Sequence, residues 1–448
     1  MVADDLAIAS TSSKGLQHLV NIAANDASTH RYIFSQTKTK IQVSANKKQN
    51  CDVILLNDSP LEISEKECHL GIERRSDLSN KSTVESRIQT ARRTIYSLMG
   101  AGLYGLNGVN PTTSIKLIEI YVIPRLVYGL DCLVLSTKEI QPLELYYREL
   151  LRKIQHLPQS TSKAICYLLL GQIPIEAIIH IKTLTLFGSI MSRKDSIEYD
   201  LLERQLALKD TKSHSWAIHV KSLLRKYDLP TPYDMLYNTP SKGKWKALIR
   251  NKVTTTWYNV LKNEALSMKA LEHVNIEKCQ PRESHCVWNT TSTDPLESYR
   301  ATIHAKILVQ RYPLHTSHTT QSKNTLCPCC NTSEETLHHF MITCPALEQA
   351  RLPYLHLFLK YIQDLNITIP HKALHAAILD PSTLTESSYH ISQMVSISRT
   401  LCFRLHIRRL SFTNNKTTIS ARRLKDTANI LQYRPAGCVQ YQRTVLHQ

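Results

Sequence analysis

KSTVESRIQTARRTIYSLMG (residues 81–100) decides the fold class, because its apolar residues recur every three or four positions. Arg87, Arg92 and Arg93 fall largely outside this apolar stripe. Residues with this period lie on one face of an α-helix, which buries that face against other elements. The segment therefore predicts an amphipathic helix packed in a bundle. The stripe consists of Val84, Ile88, Ala91, Ile95 and Leu98.

The chain that follows this helix continues the helical pattern. SIKLIEIYVIPRLVYGLDCL (114–133) predicts a second helix, with Pro124 as a kink or a stop. The pattern of residues 139–210 predicts further helical segments, and another helix is expected near 294–310. LPTPYDMLYNTPSKGK (229–244) is rich in Pro, Ser and Lys, which favours a linker.

The first 75 residues have a different pattern, that of a small α/β region. MVADDLAIAS (1–10) predicts two short strands on either side of an acidic turn. A helix follows, and KIQVSA (40–45), CDVILLN (51–57) and KECHLGI (66–72) are typical of strands. We therefore expect a mainly α protein with a small α/β part at its N-terminus. The predicted face of the N-terminal helix consists of Leu16, Leu19, Val20 and Ala23.

The chain is strongly basic. Its 448 residues contain 55 Lys and Arg against 37 Asp and Glu, which gives a net charge of +18 and a pI near 9.3. A protein with this charge usually binds a polyanion, and nucleic acid is the commonest one. The alternative is a generally basic surface with no dedicated partner.

Nothing in the sequence predicts secretion or a membrane. The N-terminus has two acidic residues and lacks the apolar core of a signal peptide, and no stretch is long and apolar enough to cross a bilayer. We therefore expect an intracellular location, in the nucleus or the cytoplasm. The twelve cysteines are then kept reduced, so metal binding is a better reason than disulfides for any cluster among them.

CPCCNTSEETLHHFMITC (327–344) is the sharpest local signal. Cys327 and Cys330 form a C-x2-C pair, and His339 and Cys344 form an H-x4-C pair. Two close pairs of N and S ligands suit a tetrahedral structural zinc ion. Cys329 and His338 are near-duplicates, so the ligand set stays open by one residue on each side. The first pair is expected on a tight turn and the second on a short helix that ends near Pro345.

Asp4 and Asp5 form the predicted acidic turn. Adjacent carboxylates at the tip of a hairpin can bind the magnesium ions that nucleotidyl transfer requires. The alternative is a polar turn, in which Asp is common.

The order of these motifs resembles the reverse transcriptases of LINE-like (non-LTR) retrotransposons. MVADDLAIAS, a helix, SQTKTKIQV and HLGI resemble the second half of the palm, although Val2 stands where many members have an aromatic residue. Residues 79–155 resemble the thumb. AKILVQRYPLHTSH (305–318) and the cysteine cluster, with Glu-Thr-Leu before the His and Cys-Pro after the last Cys, resemble the basic helix and C-terminal zinc knuckle.

The resemblance implies roles for particular residues. Asp4 and Asp5 would bind magnesium, and Lys38 would protonate the leaving pyrophosphate or stabilise its charge. Leu70 and Gly71 would shape the primer grip. The thumb arginines named above would be available for phosphates, whereas the arginines of LCFRLHIRRLSF (401–412) are either phosphate contacts or a solvated face. Those of this tail helix are Arg404, Arg408 and Arg409.

The expected function is therefore RNA-templated DNA synthesis in a parent element, with an RNA template and a DNA primer or target as partners. The family implies a further palm aspartate and fingers before Met1, so we expect no synthesis from this fragment alone. The alternative is a non-catalytic, zinc-dependent nucleic-acid binder. The predicted segments are 1–75 (palm), 76–155 (thumb), 156–293 (helical linker region), 294–350 (basic helix and knuckle) and 351–448 (basic helical tail).

Overall fold

The computed structural model describes residues 6–43, 52–103, 109–289, 292, 294–316 and 325–414. The predicted turn at Asp4 and Asp5 lies outside these residues. The chain divides into two compact units. The first comprises the described residues of 1–156, 162–267 and 279–285, and the second those of 157–161, 268–278 and from 286 onward. The predicted fold class, mainly α with a small α/β part, is confirmed.

The first unit begins with one helix and six short strands and continues as a helical bundle. Its strands are β1 (Lys40–Ile41), β2 (Leu55–Leu56), β3 (Ser59–Pro60), β4 (Glu62–Ile63), β5 (Lys66–His69) and β6 (Ile72–Arg75). Its helices are α1 (Ser13–Thr29), α2 (Lys81–Gly100), α3 (Pro111–Leu117), α4 (Ile123–Leu126), α5 (Thr137–Ile154), α6 (Lys163–Leu168), α7 (Ile175–Met191), α8 (Ile197–Leu208), α9 (Trp216–Lys226), α10 (Pro232–Tyr237) and α11 (Lys242–Leu266).

The N-terminal strands are shorter than the sequence predicts. β1 pairs in parallel with β4, β2 pairs antiparallel with β3, and β5 pairs antiparallel with β6. Residues 6–10, expected as a strand, belong to no regular element. A small apolar core holds this region together, and Leu16 and Val20 of α1 pack on it, whereas Leu19 is exposed. The core residues are Ile41, Ile54, Leu56 and Leu61.

The predicted Leu70–Gly71 segment is the two-residue turn of the β5–β6 hairpin. Leu70 has φ +51° and Gly71 has φ +74°, the pattern of a type I′ turn between the paired residues His69 and Ile72. Glycine adopts a positive φ without strain, whereas leucine rarely does. The turn is tied to the helices, because the Arg87 guanidinium donates to the carbonyl of Gly71.

The segment predicted as a linker (229–244) is instead part of an apolar cluster in the first unit. Leu229 and Met235 are buried there together with residues of α7, α9 and α11. Thr231 and Asp234 cap each other's backbone N–H groups, and Pro232 occupies the first turn, so a short helix begins where the composition indicated a loop. The linker interpretation was wrong because capping residues and loop residues are of the same types.

α7 and α11 pack closely at Gly188, where the Trp245 indole crosses α7 and donates to the carbonyl of Leu184. A Cβ at Gly188 would lie 2.0 Å from Cδ1 of Trp245. We expect Gly188→Ala to destabilise the first unit by roughly 1–3 kcal/mol, because the buried indole must move. Urea unfolding followed by tryptophan fluorescence measures this change.

The matched control is Gly243→Ala. Gly243 also lies in a helix, and apart from its chain neighbours and the adjacent backbone of that helix, no described atom lies within 4 Å of the position that its Cβ would take. The control should therefore be neutral or stabilising by up to about 1 kcal/mol. Equal effects of the two variants would contradict close packing at Gly188.

The described part of the second unit is built around its last helix. α16 (Ser388–Asn414) packs against α12 (Cys286–Asn289), α13 (Pro295–Leu308), α14 (Glu348–Asp364) and α15 (Leu374–Leu379). A single π-helical turn, His339–Thr343, precedes α14 and also contacts α16. Within the described parts of both units, no helix combines the length and the apolar character that a membrane span requires.

Candidate metal centre

The first ligand pair lies on a tight turn, as the sequence predicts. The Cys327 N–H donates to the carbonyl of Ser333 over 2.8 Å, and the Asn331 N–H donates to the carbonyl of Cys327 over 2.9 Å. Asn331 reverses the chain with φ +56°, a conformation that Asn tolerates better than most residues. This reversal places Cys327 and Cys330 on the same side of the turn.

The second pair lies on a short helical segment that begins after Thr336. The Thr336 hydroxyl accepts from the His339 N–H over 3.1 Å and so caps the segment. The Cys344 N–H then donates to the carbonyl of His339 over 2.8 Å, which closes a π-helical turn. In an α-helix, residues five apart would point about 140° away from each other. The wider π turn reduces this angle, so His339 and Cys344 converge.

The four preferred ligands come together in the second unit. Their ligand atoms all lie within 4.8 Å of one another, and the group can hold a metal ion such as zinc. The Sγ atoms of Cys327 and Cys344 are 3.8 Å apart, and Cys330 Sγ lies 3.4 Å from His339 Nε2. Tetrahedral zinc with Zn–S bonds of about 2.3 Å places two sulfurs about 3.8 Å apart. The donor set and its spacing therefore fit zinc.

His339 is oriented by a second contact. Its Nδ1 lies 3.3 Å from the Thr343 hydroxyl, one turn further along the segment. A hydrogen bond at Nδ1 leaves the lone pair of Nε2 free to bind a metal, which is how histidine ligands are usually held. Nε2 is also the atom that faces Cys330.

The structure resolves both ambiguities that the sequence left open. Cys329 is buried beside Cys327, and its thiol is not one of the four converging groups. His338 is not in the converging group either, and its Nδ1 lies 3.4 Å from Nδ1 of His375. Both near-duplicates are therefore next to the centre but outside it.

The pKa values of two thiols of the centre are shifted, as expected for ionisable ligands that lie close together. Burial together with the neighbouring Cys327 raises the pKa of Cys344 to about 12. Burial also raises the pKa of Cys330, but hydrogen bonds from Thr332 and His339 outweigh it and lower this pKa to about 6. Thiolates packed this closely repel one another, and a divalent metal would compensate their charge.

Two buried arginines hold the loop and the helical segment of the centre. Arg351 donates to the carbonyls of Ile342 and Cys344, where the helical segment ends. Arg409 of α16 binds the fully buried Glu335 through two contacts, Nε to Oε1 over 2.6 Å and Nη2 to Oε2 over 2.9 Å. Neither role was predicted from the sequence, although Glu335 belongs to the quoted motif. The centre is thus part of the second unit and not a separate module.

The predicted arginines divide into buried and exposed groups. Arg87 is buried against the Tyr128 ring and donates to the Gly71 carbonyl in the β5–β6 turn. Arg409 is buried in the ion pair with Glu335. Both guanidinium groups therefore have internal partners, and their role as phosphate contacts stays a prediction. The remaining four are exposed: Arg92, Arg93, Arg404 and Arg408.

The residues predicted for the polymerase site lie apart from the metal centre in the sequence. Lys38 is exposed in a turn in which its N–H donates to the carbonyl of Ser35 over 3.1 Å. Leu70 and Gly71 form the hairpin turn described above. The magnesium ligands Asp4 and Asp5 lie outside the described residues, so the magnesium site stays a prediction.

No protein-family model matches the sequence, and no curated protein matches it.

Proposed function

We propose that this chain belongs to a non-LTR retrotransposon reverse transcriptase and binds nucleic acid for it through a zinc-stabilised basic unit. The observation that carries the proposal is the convergence of Cys327, Cys330, His339 and Cys344 within a helical unit that also exposes arginines. Structural zinc centres of this type commonly present basic residues to nucleic acid. The order of the palm-like, thumb-like and knuckle motifs along the sequence supports the polymerase lineage.

The ion pair of Glu335 with Arg409 suggests how the metal would act. It joins the metal-binding loop to α16, and the same helix carries Arg404 and Arg408 on its exposed side. Arg404 and Arg408 are one helical turn apart, and Arg408 lies over the Phe412 ring at 4.8 Å. Zinc would thus hold a rigid helix whose two arginines contact neighbouring phosphates, without any chemistry of its own.

The second candidate is a zinc-dependent nucleic-acid binder without catalysis. The same centre favours it, because the four ligands and the basic helix need no polymerase site to bind nucleic acid. Fusion to the fingers and first palm strand of a related enzyme distinguishes the two. The polymerase proposal requires templated DNA synthesis by the fusion and its loss in Asp4→Asn, whereas an inactive fusion that still binds nucleic acid supports the second candidate.

The binding prediction uses the double variant Arg404→Gln with Arg408→Gln. We expect weaker binding to a primer–template duplex of RNA and DNA, because two phosphate contacts are lost. The plot of log affinity against log salt concentration has a negative slope, and this slope should become less steep by about two. Fluorescence anisotropy at several salt concentrations measures both quantities.

The control replaces the same two arginines with lysine, which keeps the charges and should keep most of the salt dependence. An unchanged affinity and slope in the glutamine variant would remove α16 from the proposed interface. A wild-type chain that does not bind nucleic acid at all would contradict the proposed function itself.

A further inference from the structure

α11 in the first unit carries a run of cations that the proposed function does not use. Residues 235–263 contain six Lys and Arg and no Asp or Glu. Three of these cations lie at the start of the helix, and its first turn contains no acidic residue. The helix macrodipole favours the reverse order of charges, so helix stability does not explain the run. The six cations are Lys242, Lys244, Lys246, Arg250, Lys252 and Lys262.

Ion pairs within the first unit account for only part of this run. Lys252 pairs with Asp228 over 2.9 Å. Lys242, Lys246 and Arg250 are exposed, and none of them forms an ion pair with a carboxylate of the described residues. They recur every four residues and so follow one another on successive turns, over about 12 Å of helix. We call these three residues the basic face of α11.

The loop of residues 279–285 holds a further cation in a fixed position. Arg282 is exposed and has φ +67°, a conformation that residues other than glycine rarely adopt. Its N–H donates to the carbonyl of Gly171 over 2.7 Å. The Tyr258 hydroxyl of α11 donates to the carbonyl of Gln280 over 2.9 Å and ties the same loop to the helix. The conformation of Arg282 is therefore imposed by the packing around it.

Arg282 lies close enough to Arg250 for their charges to repel. Partial burial and, after it, the charge of Arg250 lower the pKa of Arg282, whereas the carboxylate of Glu119 acts in the opposite direction. Glu119 accepts from the amide of Gln172 over 2.9 Å and forms no ion pair with Arg282. Strained backbone is often found at ligand clamps, and a bound anion would remove the repulsion between the two guanidinium groups. Phosphate suits them, because a guanidinium can bind two of its oxygens at once.

We propose that Arg282 and the basic face of α11 bind the sugar–phosphate backbone of a nucleic-acid strand. Phosphates repeat along a strand as the cations repeat along the helix, whereas one small anion would occupy only the two arginines. The contact is independent of base sequence, because phosphates carry no sequence information. The proposal rests on the proposed function for its partner and goes beyond it by adding a contact in the first unit that uses no zinc.

A membrane surface fits this part of α11 less well. Helices that lie on anionic membranes place large apolar side chains beside their cations. The exposed residues next to Arg250 on this helix include Ala247 and Asn251, which have no large apolar group to insert. Nucleic acid is therefore the polyanion that the surface favours.

The double variant Arg250→Gln with Arg282→Gln tests this proposal in the full chain. Its affinity for a primer–template duplex of RNA and DNA should fall, because two phosphate contacts are lost. The negative slope of log affinity against log salt concentration should become less steep by about two. Arg250→Gln alone leaves the strained loop unchanged and should make this slope less steep by about one. Fluorescence anisotropy at several salt concentrations measures these changes, and circular dichroism checks that both variants are folded.

The matched control is Lys153→Gln with Lys252→Gln. It removes the same net charge from the first unit, but Lys153 is paired with Glu149 over 2.8 Å and Lys252 with Asp228 over 2.9 Å. The control should keep most of the affinity and of the salt dependence. Equal losses in the control and in the arginine variant would assign the effect to net charge and overturn the proposal.

The remaining outcomes separate this proposal from the proposed function. If the Arg250 variants keep wild-type affinity and slope while the Arg404 and Arg408 variant loses them, this inference fails and the proposed function stands. A wild-type chain that binds no nucleic acid would overturn both. If the Arg250 variants keep nucleic-acid binding but lose binding to phosphatidylserine vesicles, the partner of this surface is a membrane and the proposal is wrong.

Discussion

Cys344→Ser is expected to abolish zinc binding at the Cys/His centre and to unfold the surrounding part of the second unit. Cys344 is fully buried, and serine cannot replace a thiolate ligand there. Structural zinc contributes roughly 10–16 kcal/mol in comparable peptides, which is as large as the whole stability of a typical domain. Loss of the thiolate-to-cobalt absorption, together with loss of helical circular dichroism on heating, measures the effect.

The control is Cys329→Ser, which changes a buried neighbouring cysteine that is not among the converging four. It should keep the full thiolate absorption and lower stability only modestly. Chelation of the wild-type metal should reproduce the Cys344→Ser result. If Cys329→Ser loses the metal and Cys344→Ser keeps it, the ligand set derived from the geometry is wrong.

Glu335→Gln is expected to destabilise the second unit by roughly 3–5 kcal/mol. The side chains of Glu335 and Arg409 have 0% and 8% exposure, so the variant leaves an uncompensated cation in the interior. It also weakens the bond that the carboxylate accepts from the His315 N–H over 2.7 Å. The melting temperature of the unit should fall by roughly 6–20 °C, as measured by calorimetry.

Two controls separate the ion pair from general damage to the loop. Glu334→Gln changes the exposed neighbouring carboxylate and should shift stability by less than about 0.5 kcal/mol. The double variant Glu335→Leu with Arg409→Met removes both charges and should recover part of the loss. Equal destabilisation by the Glu334 and Glu335 variants would contradict a buried ion pair.

These two predictions concern one assembly. Glu335 follows the first ligand pair and precedes the second, and its partner Arg409 lies on α16. Zinc ligation would therefore hold the loop that carries Glu335, and the ion pair holds this loop against α16. If α16 binds nucleic acid as proposed, Glu335→Gln should weaken that binding although Glu335 itself is buried.

Local patterns were good predictors of single elements. The stripe of residues 81–100 predicts α2, and the structure buries Val84, Ala91 and Ile95 on it as expected. The same pattern was a poor guide to Arg87, which projects from the edge of the stripe into a contact with the β5–β6 turn. The contact joins residues 16 apart, so helical periodicity carried no information about it.

The sequence by itself determined the mainly α fold class, the small α/β part and the two Cys/His pairs, because periodicity and ligand spacing are properties of short segments. Only the tertiary structure decided that Cys330 and His339, not Cys329 and His338, face the centre. It also decided which arginines are exposed. The physical reason is that a buried charge needs a partner, and the partner of Arg409 is Glu335, 74 residues away along the chain.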